Sequence, residues 1–235
     1  MAGESRDHPL QSLVEGAVRA QYGEVRIRNR GRLPHREKEE GLYFITFNLA
    51  DSLPKKAIEK IVERNRILNF AKGVGAHLTP AQKELIAKYS QKQVESYYDR
   101  GSGECLLKDP RVAEALATAL RFWHGKRYRL VAWCIMPNHV HVVCRFLPGQ
   151  SLSEAVKSWK VYSARETNRI LNRKGPLWRR EYYDRLIRKE GELDRAVGYV
   201  LSNPERAGLR DWKWVWSEGR ETLSTAGQVT GGTLK

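Results

Sequence analysis

Two β-branched and aromatic runs, residues 127–135 and 139–146, flank the short connection Met136-Pro137-Asn138, and this pairing constrains the chain more than any other stretch. Runs of that composition form strands, and so short a connection returns the second antiparallel to the first as a hairpin. Side chains alternate between the two faces of a strand. Val140, Val142, Cys144 and Phe146 therefore share one face, apolar throughout, on which helices are expected to pack. His139, His141, Val143 and Arg145 share the other. Two imidazoles two residues apart stand side by side, about 7 Å apart along the strand, and offer two nitrogens to one metal ion. The plainer reading is two polar residues on a half-exposed strand, and on the pair alone it stands first.

Around the hairpin the pattern alternates between strand and helix. Leu42 to Leu49 reads as a first strand, bounded by Gly41 and by Asp51-Ser52. Three helices follow: one opening at Leu53-Pro54 and reaching residue 68 or 72, one opening at Thr79-Pro80, and one running from Asp109-Pro110 to Trp123. After the hairpin, Ser151-Leu152-Ser153-Glu154 has capping-box spacing and opens a helix to about residue 171. Residues 182–188 read as a short strand. Residues 191–203 read as a helix stopped by Pro204, because the residue before a proline disfavours the helical region. Residues 212–216, with three tryptophans, are expected to pack back on the core.

The organisation expected is a basic arm over 1–40, partly disordered, with a short helix allowed over 10–19. A domain over 41–216 follows, then a small polar tail from 217 to 235 that is expected to be disordered. A formal net charge of +15 with 7 Trp and 10 Tyr points to a polyanionic partner, nucleic acid before membrane. Three cysteines without Cys-x-x-Cys spacing fit reduced thiols in the cytoplasm. No apolar stretch is long enough to span a bilayer, and the N-terminal segment lacks a signal-peptide pattern. The cations and ring singled out for nucleic acid are Arg28, Arg30 and Arg32 in the arm, Lys157 and Lys160 on the long helix, and Arg173, Lys174, Trp178, Arg179 and Arg180 in the loop after it.

Tyr199 and Asn203 lie four apart, so they stack on one flank of the 191–203 helix. A phenolic oxygen is a nucleophile once its anion is stabilised, and an amide oxygen is a ligand for Mg²⁺ or Mn²⁺. If this helix crosses the histidine face, His139, His141 and Asn203 form a three-ligand site beside Tyr199. An interface tyrosine and an asparagine placed before a proline remain ahead on physics alone.

The stretch Pro137-Asn138-His139-Val140-His141 resembles the His-hydrophobic-His signature of HUH single-tyrosine transposases, in particular the REP-associated tyrosine transposases. Arg32-Leu33-Pro34-His35 with the strand after it, Trp178 with Tyr183-Asp184-Arg185 and Ile187-Arg188, and Tyr199-x3-Asn203-Pro204 with Ala207-Gly208-Leu209 resemble that family in the same order. The resemblance implies an α+β, ferredoxin-like (RRM-like) fold: an antiparallel sheet with helices on one face and a catalytic helix over the other. It implies a divalent metal, Mg²⁺ or Mn²⁺, on His139, His141 and Asn203, with Tyr199 as nucleophile and Tyr182 and Tyr183 as competitors. It implies a transposase, monomer or homodimer, that cleaves and rejoins single-stranded DNA near hairpins (repetitive extragenic palindrome-like) through a 5′-phosphotyrosine, in the cytoplasm and associated with the nucleoid. The chain departs from a compact member by a helical insertion over about 54–124. The rivals are a ferredoxin-like protein that binds hairpin DNA or RNA without cutting it, and a nuclease that uses water. If both histidines must be neutral to hold a metal, activity is expected to fall below about pH 6.

Overall fold

The computed structural model describes residues 26–29, 34–74, 77–90, 98, 101–189 and 191–219. Two short strands, β1 (Arg26–Asn29) and β2 (Pro34–Glu37), pair antiparallel. The central sheet uses β3 (Leu42–Asn48), β4 (Tyr128–Ile135), β5 (His139–Phe146), β6 (Tyr183–Leu186) and β7 (Val215–Ser217), in the order β6-β3-β5-β4-β7, with every pairing antiparallel. The helices are α1 (Lys55–Val74), α2 (Pro80–Lys88), α3 (Pro110–Arg121), α4 (Leu152–Ile170) and α5 (Glu192–Arg206). This is the α+β architecture expected, with the hairpin at the centre of the sheet.

The alternation in β5 sorts the layers. Val140, Val142, Cys144 and Phe146 join Tyr43, Ile45 and Phe47 of β3 in a core shared with Val112, Leu116 and Leu120 of α3 and Val156 and Trp159 of α4. On the opposite face Leu42, Phe44 and Val143 meet Leu193, Ala196 and Val200 of α5. In β4 a register shift between Leu130 and Ala132 keeps both faces filled. It places Val131 and Ala132 together under α5, and returns Trp133 and Ile135 to the α3–α4 side. An extra residue in one strand of a pair does this by rephasing the alternation.

Trp159 anchors the larger core. Its indole N–H donates to the Tyr128 hydroxyl (2.6 Å), which donates to the Leu120 carbonyl (2.9 Å). Burial pushes the Tyr128 phenol up, so it stays a neutral donor. Trp159→Ala is expected to cost about 3–5 kcal/mol, read as a lowered urea midpoint with an unchanged slope.

Five details depart from the sequence reading. The arm contains the β1–β2 hairpin; the helix expected over 10–19 lies outside the described residues. Ser151 makes no capping bond to the backbone, because its hydroxyl pairs with that of Ser153 (2.8 Å). The last helix does not stop before Pro204 but runs to Arg206, with Asn203 and Pro204 both buried. Ser217 is the end of β7, paired with Ala132, so the tail begins after it. The insertion is also smaller than its helices suggest, since α3 is part of the main core, whereas α2 has no buried residue.

Candidate active site

The β3–β5 pairing places His139 opposite Asn48 and His141 opposite Thr46, so all four side chains share one face of the sheet. Both imidazoles are 1% exposed. His141 Nδ1 is 2.8 Å from Thr46 Oγ1, and His139 Nδ1 is 2.8 Å from Asn138 Oδ1. With both Nδ1 atoms engaged, the two Nε2 atoms converge to 3.1 Å. Adjacent ligands at right angles on one ion, each about 2.1 Å away, are about 3 Å apart. The nitrogen pair therefore fits a metal.

Burial holds His139 well below the ordinary imidazole range, with His141 beside it adding to the effect, and pushes His141 down to about 3. Both rings therefore stay neutral below the pH 6 limit set by an unperturbed imidazole. The unfolded chain takes up protons near the ordinary value of 6.5, whereas the folded one resists until much lower pH. The unfolded state binds more protons in that window, so the imidazole contribution to stability is full above 6.5 and is lost as pH falls toward 3. Metal-free protein is expected to show a urea midpoint that declines from about pH 6.5 downward, and a His141→Phe variant a shallower decline.

Helix α5 crosses this face, as the three-ligand reading required. Leu193, Ala196 and Val200 are buried against β4 and β5, which turns Tyr199 toward the histidines. The half-buried Tyr199 ring lies 5.2 Å from the His141 ring and 5.8 Å from Phe44, edge-on to both. Asn203, one turn further on, is 1% exposed, and its Oδ1 has no hydrogen-bond partner among the described residues. A buried amide oxygen left in that condition costs about 1–3 kcal/mol, a cost that a ligand would remove. Asn48, across from His139, also has a buried Oδ1 without a hydrogen-bond partner among the described residues. Among the described residues no group of three or more His, Cys, Asp or Glu gathers at one place. An ion at the histidines would therefore draw its oxygens from amides, water or substrate.

The competing tyrosines separate by face. Tyr182 packs against the α3–α4 core. Tyr183 pairs with Thr46 and packs with the α5 side, so it shares the histidine face. Two arginines not singled out in the sequence frame the site. The Arg206 guanidinium lies 5.2 Å from the Tyr199 ring centre, and that of Arg185 lies 6.0 Å from the Phe44 ring centre. Spacing on α5 could have revealed Arg206, which continues the 199–203 flank by a further turn.

The residues assigned to nucleic acid divide. Lys157, Lys174 and Arg180 are exposed, and Arg179 is half-buried. Trp178 is corrected: it is 7% exposed, packs edge-on against Phe47 at 4.9 Å and donates to Ser163 Oγ, so its ring cannot receive a base. Lys160 is corrected in part. Its ammonium donates to the carbonyls of Arg179 (2.6 Å) and Arg180 (2.9 Å), and burial lowers it to about 8, so it ties down the loop. Arg173 similarly bonds Asn168 Oδ1. Lys157, Lys160, Arg180 and Tyr182 line a cleft of about 550 Å³ beside α4, on the α4 side of the sheet. Arg28 lies on β1, while Arg30 and Arg32 fall outside the described residues.

Residues 105–203 match the family described as "Transposase IS200 like". A Haemophilus influenzae Rd protein, named as a candidate REP-associated tyrosine transposase, is 24% identical over 104 residues, covering 37% of this chain and 57% of that protein. The chain thus spans little more than half the length of this relative. Among solved structures, one of a REP-associated tyrosine transposase bound to a REP hairpin aligns with a TM-score of 0.43 and 15% identity, over 84% of this chain and 86% of that one. A candidate transposase of Deinococcus radiodurans R1 aligns with a TM-score of 0.36 and 17% identity, over 75% of this chain and 96% of that one. The segment from 105 to 203 that is similar to this family holds both histidines, Tyr199 and Asn203.

Proposed function

We propose that this protein is a metal-dependent transposase that cleaves and rejoins single-stranded DNA near hairpins through a 5′-phosphotyrosine. The observation that carries this is one sheet face on which two buried imidazole nitrogens converge to 3.1 Å, with a tyrosine ring 5.2 Å from one imidazole. An unpartnered amide oxygen lies one helical turn beyond that tyrosine.

His139 and His141 would hold Mg²⁺ or Mn²⁺, with Asn203 as third ligand. The ion, when bound, would act as a Lewis acid on a non-bridging phosphate oxygen. Tyr199 supplies the attacking oxygen: its bond to phosphorus forms as the bond to the 3′ oxygen breaks, and that oxygen leaves as a free hydroxyl. The phosphodiester energy stays in the tyrosine link, so a 3′-hydroxyl can attack it and restore a DNA strand. The Arg206 guanidinium, 5.2 Å from the Tyr199 ring centre, puts a cation beside the attacking group. Exposed Lys157, Lys174 and Arg180 hold phosphates outside the site. The partner proposed is hairpin-bearing DNA, met in the cytoplasm by a monomer or homodimer.

Two imidazoles and one amide bring no negative charge to a divalent ion, which favours anionic oxygen. Mn²⁺ is therefore expected to bind weakly alone and about tenfold or more tightly with DNA present, because a substrate phosphate supplies the charge. Calorimetric titration with and without a hairpin oligonucleotide checks this. The function itself is tested with end-labelled hairpin DNA and Mn²⁺ on a denaturing gel. A protein-linked band supports the transposase. Cleavage without a link means a water-using nuclease, and retardation on a native gel alone means a binding protein.

A further inference from the structure

We infer that Asn138 is a positioning residue that fixes the tautomer of His139, and that the loop ending the helical insertion holds Asn138 in the orientation this needs. Asn138 is fully buried, and its Nδ2 donates to the backbone carbonyl of Ser102 (2.8 Å). A carbonyl only accepts, so the amide nitrogen is committed to that side and Oδ1 is the atom 2.8 Å from His139 Nδ1. Oδ1 also only accepts, which places the His139 proton on Nδ1 and leaves the lone pair on Nε2. That is the nitrogen 3.1 Å from His141 Nε2. An imidazole whose other nitrogen is held as a donor is oriented and ready as a ligand.

The loop is itself anchored. Leu107 N–H donates to the Pro137 carbonyl (3.1 Å), one residue from Asn138. Glu104 N–H donates to Asp51 Oδ2 (2.7 Å), just beyond the end of β3. Gly103, at φ +89°, lets the chain pass so close to Asp51 that a Cβ would stand 2.7 Å from its carboxylate and 2.8 Å from its backbone oxygen. The insertion thus reaches His139 in two ways, through the Ser102 carbonyl on Asn138 and through the buried Tyr98 ring, 5.7 Å from the His139 ring, and both residues precede the family match at 105–203.

The inference rests on the metal role proposed for His139, and its test separates the two. Two-bond ¹H–¹⁵N spectra of metal-free protein read the tautomer directly, and Mn²⁺ titration reads affinity. The wild type is expected to show His139 as Nδ1–H. Asn138→Ala is expected to shift it toward Nε2–H and weaken Mn²⁺ about tenfold. Asn138→Asp keeps an acceptor and is expected to retain Nδ1–H. Gly103→Ala, which displaces the loop without touching the histidines, is expected to mix the tautomers and weaken Mn²⁺. Should Asn138→Ala not fold, the wild-type and Gly103→Ala spectra decide. A wild-type Nε2–H tautomer, or Asn138→Ala and Gly103→Ala variants that keep both Nδ1–H and wild-type affinity, would overturn the inference. A wild type that binds no Mn²⁺ defeats the metal reading instead, while the spectra still decide the tautomer.

Discussion

Tyr199→Phe is expected to abolish the protein–DNA adduct and to lower strand cleavage by about a thousandfold or more, the scale seen when a covalent nucleophile is removed. The fold should survive. Only the phenolic oxygen is lost, from a side chain that is half-buried, and the edge-on contacts with Phe44 and His141 belong to the ring that remains. Hairpin DNA should bind within a few-fold of wild type, because the phosphate-holding cations lie elsewhere. Tyr183→Phe is the matched control. It changes the other tyrosine on the histidine face, one with no ligand-type residue a helical turn away, and is expected to leave the adduct intact. An adduct lost in Tyr183→Phe and kept in Tyr199→Phe would reverse the assignment.

His141→Ala has the second large effect. It removes one of two nitrogens that converge on a single point, and Mn²⁺-dependent cleavage is expected to fall by at least about a hundredfold with no rescue at millimolar metal. Some instability accompanies it, since Thr46 loses its partner and a buried ring leaves a void. Hairpin retardation on a native gel separates the two causes. A variant that binds DNA like the wild type but does not cut has lost chemistry. One that neither binds nor cuts has lost its fold.

Much of this site was legible because strand geometry is strict. A two-residue period fixes which face His139 and His141 occupy, and four-residue spacing on a helix fixes that Tyr199 and Asn203 share a flank. That α5 lies over the histidines was not fixed by spacing. It follows from Leu193, Ala196 and Val200 meeting a second apolar sheet face, which the β4 register shift helps to build. Local rules failed where tertiary contacts override them. Asn203 stays helical before Pro204 because both residues are buried, so the preference against a helical residue before proline is outweighed. Ser151 has capping spacing, but a neighbouring hydroxyl takes its side chain. Trp178 sits among arginines in the sequence and among Phe47 and Ser163 in space. A charge-flanked ring reads the same in sequence whether it faces solvent or core. The contacts that orient the imidazoles were least legible of all. Thr46 lies ninety-five positions from His141, and Ser102 acts on Asn138 through a backbone carbonyl.

The central claim is a covalent bond between DNA and one named oxygen, and digestion of the adduct tests it most directly. After incubation with hairpin DNA and Mn²⁺, the denatured adduct is trimmed with nuclease, cleaved with trypsin and read by mass spectrometry. Tyr199 lies in the peptide spanning 196–206, where it is the sole tyrosine, whereas Tyr182 and Tyr183 share the peptide spanning 181–185. A nucleotide mass on the 196–206 peptide is the result expected. A nucleotide on 181–185, or cleaved DNA with no modified peptide, would contradict the account.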